Sequence, residues 1–331
     1  MERNRIIDIA KGIGIMLVVY THTKCYAHDA IYLFIMPLFF ALSGYFFNEE
    51  RPLWDNIKVK FKTLIIPYIF YFILLESLFI ILHKFFYQDV YFAWGMFIKP
   101  YWVVGPMWFF YGLFFTSIFF ALIAKSFKNI YIVITLSVIL GLSGYLLSVY
   151  GIKLPVYIDS ALSMTLFYCF GYLLKKFRFL DKLNTKSSII IGIVSLLLYL
   201  SGVFFSLVNN TKPNEVPNNY LLFIISACSA IVAFLLLSKL LLRFRFISNL
   251  FSFYGKNSLI VFVWHFFTFY LFYLLFNVNS AELSYIDGFL ITIFALVFSI
   301  VLGLIQQKYL PIPNIREIFK YVKKELSYLK R

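Results

Sequence analysis

Long apolar runs separated by short polar and basic segments dominate this chain. Each of ten runs is close to the roughly 20 apolar residues that a transmembrane helix needs. None shows the period-two alternation of a barrel strand, and only helices or closed barrels satisfy their backbone in lipid. The pattern therefore predicts an all-α polytopic membrane protein with about ten transmembrane helices, at Ile6–Thr23, Ile31–Phe47, Leu64–Leu82, Pro106–Ala124, Ile130–Val149, Ile158–Leu174, Ser188–Val208, Tyr220–Leu237, Ser258–Phe276 and Ile286–Ile305.

Composition supports lipid as the solvent. The chain has 331 residues, of which 62% are hydrophobic, whereas a soluble domain is nearer half apolar. Ten spans and short loops use nearly all of residues 1–310, so we expect one transmembrane domain there and no separate soluble domain. Residues 311–331 carry apolar side chains at helical spacing with lysines between them, which predicts an amphipathic helix on the inner leaflet.

The basic residues predict the orientation of the spans. The formal net charge is +15, but the charges lie in short clusters between apolar runs, which argues against nucleic-acid binding. With the N-terminus inside, the cytoplasmic segments hold 24 of the 30 lysines and arginines and the outer segments hold five. This bias predicts cytoplasmic N- and C-termini and a multi-pass protein of the cell (inner or cytoplasmic) membrane.

Three cysteines, Cys25, Cys169 and Cys228, have no metal-type spacing, and two lie inside apolar runs. We therefore predict neither a metal site nor a disulfide framework. The first run contains Asp8 and Lys11 and lacks a small-residue cleavage site, so we expect it to be a retained span.

The first span carries most of the ionisable residues that the spans contain, and such residues are costly in lipid. Lys11 and His22 are about three helical turns apart, so they share a face and lie roughly 16 Å apart along the axis. Asp8 and Lys11 have the spacing of an ion pair, which is an alternative, purely structural role for both. An interfacial histidine is the corresponding alternative for His22.

Weaker candidates lie elsewhere. Glu76 is in the outer half of the third span, where it would either orient an imidazole or serve as a packing hydrogen bonder. His265 is in the inner part of the ninth span, where a bond to a neighbouring helix is the simpler interpretation. Lys60 and Lys62 begin the third span and would serve either as positive-inside anchors or as a cytoplasmic phosphate clamp. The outer segment 83–105 is aromatic and indicates an interfacial belt or a lid.

Five landmarks in the right order resemble the integral-membrane acyltransferase 3 family, which includes polysaccharide O-acetyltransferases and fucose 4-O-acetylase-like proteins. The resemblance covers nearly the full length. The first is a basic residue, ten intervening residues and a histidine, here Lys11 and His22. The others are Met36-Pro37-Leu38-Phe39-Phe40-Ala41-Leu42-Ser43-Gly44-Tyr45, Lys60-Phe61-Lys62-Thr63-Leu64 with Pro67-Tyr68, Gly105-Pro106-Met107-Trp108-Phe109, and Gly255-Lys256-Asn257-Ser258-Leu259 followed by His265. Two positions depart from the family pattern: Ile35 replaces a common histidine, and lysines replace an arginine pair at the third span.

The resemblance implies transfer of an acyl group, usually acetyl, from acetyl-CoA as donor substrate to a carbohydrate hydroxyl. His22 would act as general base or briefly carry the acyl group, with Glu76 as a second catalytic candidate. Lys11, Lys60 and Lys62 would bind the donor. Asp8, Trp108 and His265 are further candidates.

Two other functions fit the sequence. Ten spans with few buried charges would suit a transporter or flippase for a polysaccharide intermediate, although no inverted repeat with paired broken helices is evident. A membrane sensor or scaffold is the other alternative. Asp8, Lys11 and His22 on one helix argue against it, because a passive scaffold has little reason to keep three costly residues.

Overall fold

The computed structural model describes residues 4–87, 105–205, 219–276 and 283–312. Every regular element in these ranges is helical. In chain order they are α1 (Arg5–Thr21), α2 (His28–Tyr45), α3 (Leu53–Lys60), a π-helical turn (Phe61–Ile65), α4 (Ile66–Tyr87), a 3₁₀ turn (Gly105–Met107), α5 (Trp108–Ser126), α6 (Ile130–Val149), a 3₁₀ turn (Pro155–Tyr157), α7 (Ile158–Lys176), α8 (Phe179–Lys182), α9 (Thr185–Phe205), α10 (Tyr220–Leu241), α11 (Arg245–Lys256), α12 (Ser258–Phe276) and α13 (Tyr285–Tyr309).

The prediction of an all-α polytopic fold is confirmed. Nine helical segments of the described ranges are long and apolar enough to cross a membrane. The first predicted run folds as α1, which has 17 residues and so stands at the short end of the range of about 17–25 for a span. The predicted aromatic segment 83–105 falls largely outside the described residues, and the predicted amphipathic tail does so from residue 313 onward.

The third span begins earlier than hydropathy predicted. The expected run was Leu64–Leu82, but the helical segment already starts at Leu53 with α3 and passes through the π turn into α4. Lysine lowers the hydropathy of this stretch without opposing a helix, because its long unbranched side chain loses little rotamer freedom there. The lysines of this stretch therefore lie on a helix.

Helix α1 lies at the centre of the bundle, against α2, α10, α11, α12 and α13. Its closest crossing is with α11, where a Cβ added to Gly12 would overlap the carbonyl oxygen of Phe251. A Cβ added to Gly255 would overlap that of Asp8. Glycine at both positions lets the two backbones touch, as small residues do between membrane helices. This contact holds α1, and the side chains it carries, in one position.

Candidate active site

His22 is held by the C-terminal end of α1. The carbonyl oxygen of Val18 accepts from the Thr21 hydroxyl at 2.9 Å and lies 2.7 Å from Nδ1 of His22. A carbonyl oxygen only accepts, so Nδ1 carries the ring proton. Nε2 of His22 therefore presents a lone pair, which a general base or nucleophile requires.

Aromatic side chains surround this lone pair. The Tyr32 hydroxyl lies 3.4 Å from Nε2 of His22, and the Phe266 ring meets the imidazole edge-on with centroids 4.9 Å apart. The imidazole of His28 stacks on the Tyr32 ring, with the ring centroids 4.3 Å apart. Nδ1 of His28 in turn lies 2.9 Å from a carboxylate oxygen of Asp29. His22 thus lies in a largely apolar environment with one neighbouring hydroxyl.

His265 is the second histidine of the site. Its ring centroid lies 5.3 Å from that of His22, and the residue is fully buried. Nδ1 donates to the Phe262 carbonyl at 2.6 Å, whereas Nε2 has no hydrogen-bond partner among the described residues. The expected bond to a neighbouring helix is wrong, because the bond closes on its own helix, α12. The sequence gives the position of His265 along α12, but it does not show which residues of α1 lie opposite that position.

The first of two adjoining cavities is the histidine cavity, with a volume of 360 Å³. Trp108, a candidate from sequence, lines it. Glu76 is buried on α4 but is not among the residues that line it. The lining residues are Val18, Thr21, His22, Tyr32, Ile35, Met36, Gly105, Pro106, Trp108, Tyr157, Phe262 and Phe266.

The second of the two adjoining cavities is the lysine cavity, with a volume of 450 Å³. Lys11 lies in it with its ammonium 4.7 Å from the centre of the Phe46 ring, and Lys60 donates to the Ser43 hydroxyl at 2.8 Å. The lining residues are Lys11, Ile15, Val18, Met36, Phe39, Leu42, Ser43, Phe46, Lys60, Thr63, Leu64, Phe109, Leu113, Ser258, Leu259 and Phe262. Val18, Met36 and Phe262 line both cavities and so lie where the two cavities meet.

The two lysines at the start of the third span differ in whether they face this cavity, because residues two apart in a helix do not share a face. Lys60 directly precedes the π-helical turn and points into the cavity, and Thr63 within the turn lines it as well. Lys62 is exposed and lines none of the cavities described here. The two lysines that the sequence treated alike therefore have different environments.

A smaller polar cavity of 170 Å³ adjoins the lysine cavity through Phe46, Lys60 and Thr63. Arg51 and Asn56 line it, and Asn56 donates to the carbonyl oxygens of Asn48 and Arg51. Among the described residues, no aspartate or glutamate lines this cavity or the lysine cavity. The cationic side chains here thus create a positive potential that favours an anion.

Asp8 lies away from both cavities, at the crossing of α1 with α11. It is 7% exposed, and its backbone is in contact with Gly255. The position of Asp8 at this helix crossing favours a role in packing. The Asp8–Lys11 ion pair stays a prediction. In the described part of the chain, no group of three or more potential ligand side chains is arranged to hold a metal ion.

Sequence reasoning missed four residues of these cavities: Tyr32, Ser43 in its contact with Lys60, Arg51 and Tyr157. Tyrosine and serine are common within membrane helices, so their type alone carries no signal. Arg51 is one of the cytoplasmic lysines and arginines, and positive-inside anchoring already explains an arginine in that loop.

Comparison with known families identifies an acyltransferase domain. The profile of the acyltransferase domain family, acyltransferase 3, matches residues 4–305. A search of curated proteins finds no significant match. The matched range contains every helix that lines the two cavities, and it covers most of the chain. The chain therefore belongs to the acyltransferase 3 family and is a multi-pass membrane protein that transfers acyl groups.

Proposed function

We propose that this protein transfers an acetyl group from acetyl-CoA to a hydroxyl of a cell-surface or lipid-linked carbohydrate, in the cell membrane. The observation that carries the proposal is the pair of adjoining cavities. One contains two lysines, the other contains a histidine whose Nε2 lone pair faces the Tyr32 hydroxyl, and α1 contributes to both.

The lysine cavity suits the anionic part of the donor. Lys11 and Lys60 line it, and Arg51 lines the polar cavity next to it. Lysine binds phosphate as a point charge, whereas arginine offers a fork of parallel N–H donors. Together they fit a ligand that carries several phosphates. Lys62 does not share this environment, and we leave it out of the proposed donor site.

The histidine cavity suits the reacting centre. In the proposed step the acceptor oxygen attacks the thioester carbonyl carbon while Nε2 of His22 takes the hydroxyl proton. A C–O bond forms and the C–S bond breaks, with its electron pair leaving on sulfur. The thiolate then takes the proton from His22. The Val18 carbonyl bonded to Nδ1 orients the ring and stabilises the imidazolium, as a buried carboxylate does in a hydrolase triad.

The spacing along α1 matches an extended donor. Lys11 and His22 are separated by roughly 16 Å along the helix axis. A donor with its phosphates near Lys11 and its thioester near His22 must pass Val18, Met36 and Phe262. The long flexible arm of CoA has this shape. A carbohydrate acceptor would then approach His22 from the opposite end of the histidine cavity.

The test uses His22→Ala and His22→Gln in protein reconstituted in nanodiscs. Because a general base contributes about 10²–10⁴-fold, we expect kcat to fall by that order in both variants, with the KM for acetyl-CoA little changed. Transfer of labelled acetyl to purified surface glycan is the readout, and protein amount and thermal stability are the controls. Glycan acetylation at the wild-type rate in both variants would refute the role of His22. Retained movement of glycan across the membrane without any acetylation would favour the transporter.

A further inference from the structure

Two aromatic rings line the histidine cavity together with His22. The rings of Trp108 and Tyr157 have centroids 5.8 Å apart and planes inclined by 42°. Both side chains are half-buried, so part of each ring faces the cavity. Pro106 lines the cavity as well and extends this apolar wall.

The backbone that presents Tyr157 is strained. Val156 has φ 49° and Tyr157 has φ 60°, within the 3₁₀ turn that precedes α7. This left-handed conformation is unfavourable for an L-residue, and it is rare for a β-branched side chain such as valine. A glycine would adopt it freely, yet the chain has valine and tyrosine. Strain of this kind clusters at ligand clamps, where the surrounding structure maintains it.

The chemistry of the cavity selects a class of ligand. Among the described residues, its walls are mainly aromatic and aliphatic, and its polar side chains are His22, Thr21, Tyr32, Trp108 and Tyr157. A volume of 360 Å³ lies within the range of about 300–1,000 Å³ typical of small-molecule sites. A pyranose ring has an apolar C–H face and a polar rim of hydroxyls. The C–H face matches the aromatic walls of the cavity, and the hydroxyl rim matches its polar groups.

We propose that Trp108 and Tyr157 form the acceptor subsite, in which they stack on the apolar face of a pyranose ring and direct one ring hydroxyl toward Nε2 of His22. The strained turn at Val156 sets the angle of the Tyr157 ring. This inference rests on the proposed function and adds to it the residues that hold the acceptor and the chemical form of the acceptor.

The test compares variants that keep or remove each ring: Trp108→Phe with Trp108→Leu, and Tyr157→Phe with Tyr157→Leu. The probes are the methyl pyranosides of glucose, galactose and mannose, with sorbitol as a polyol that has no apolar ring face. Binding is measured by saturation-transfer NMR on nanodisc-embedded protein without donor. Steady-state transfer from labelled acetyl-CoA gives the KM for acceptor and donor separately.

We expect at least one pyranoside to bind and sorbitol not to bind. Each leucine variant should raise the acceptor Kd and KM tenfold or more, while the donor KM stays within twofold. The phenylalanine variants should stay within threefold of wild type, because they keep a flat ring. Matched controls are Trp54→Leu and Tyr131→Leu, whose side chains are 70% and 76% exposed and lie outside the cavity.

The proposal is overturned if no pyranoside binds, if sorbitol binds equally well, or if the leucine variants leave the acceptor Kd unchanged. Failure of the proposed function looks different. If the pyranosides bind and the leucine variants abolish binding, but no acetyl group is transferred, the subsite stands and the reaction assigned to the protein is wrong.

Discussion

One carbonyl oxygen determines the chemistry of His22. The last turn of α1 leaves the Val18 oxygen to the side chains of Thr21 and His22, because the backbone N–H of His22 bonds to Val19 and Tyr20 instead. That arrangement places the proton on Nδ1 and the lone pair on Nε2. His265 repeats the pattern with Phe262 on α12, so the two imidazoles share one tautomer. Helix carbonyls thus select the reactive nitrogen of each ring.

The lysines of the third span allow a prediction at the same scale. Lys60→Ala should raise the KM for acetyl-CoA about 10- to 100-fold, since a hydrogen bond to a charged group is worth about 1.5–3 kcal/mol. Lys11→Ala should act in the same direction, with membrane insertion intact. Lys62→Ala is the matched control and should change the KM by no more than about twofold, as exposed substitutions do. Donor titration in nanodiscs measures all three, and equal effects of Lys60→Ala and Lys62→Ala would contradict the assignment of Lys60.

Two helices, α1 and α11, set the position of the site within the bundle. They cross at Gly12 and Gly255, where backbone touches backbone. The exposed side of α11 carries large apolar residues, among them Phe246 and Phe253, while the buried side carries Ser248, Ser252 and Gly255. Close packing of small residues replaces the hydrophobic effect as the force between helices in lipid.

Gly255→Ala tests this crossing. The added Cβ would overlap the Asp8 carbonyl oxygen, so the helices must separate, and we expect a loss of about 1–3 kcal/mol in stability. Gly192→Ala is the control, because its Cβ would meet only ordinary contacts at 3.8 Å from the Leu236 side chain. Thermal unfolding in detergent compares the two variants. A Gly255→Ala protein as stable as the Gly192→Ala protein would show that the crossing tolerates separation.

In the whole molecule, the lysine cavity and the histidine cavity follow one another along α1. The charge bias predicts that the lysine end of α1 is cytoplasmic and the His22 end is outside. A donor would then be taken up on one side of the membrane and used near the other. Such a division gives a physical reason for an acyltransferase to be built of membrane spans.

Sealed vesicles of both orientations test this arrangement. Labelled acetyl-CoA, which does not cross the bilayer, should be consumed when it is added outside inverted vesicles and not outside right-side-out vesicles. Labelled glycan should accumulate in the lumen of the inverted vesicles. Equal consumption in both preparations would contradict the predicted orientation, and product only on the donor side would show that the acyl group does not cross.

The sequence by itself determined that this protein is a helical membrane protein, because lipid offers the backbone no partner other than its own helix. It also placed Lys11 and His22 on one face of α1, since helical periodicity relates residues of the same helix. Only the tertiary structure decided which residues of other helices join them. It brought Trp108 and Lys60 to the cavities of α1, placed His265 against the His22 ring, and left Glu76 and Lys62 outside the cavities. The reason is physical. Periodicity predicts which face of a helix is buried, but the neighbouring helix and the depth at which that face packs depend on close contacts such as that of Gly12 with Phe251.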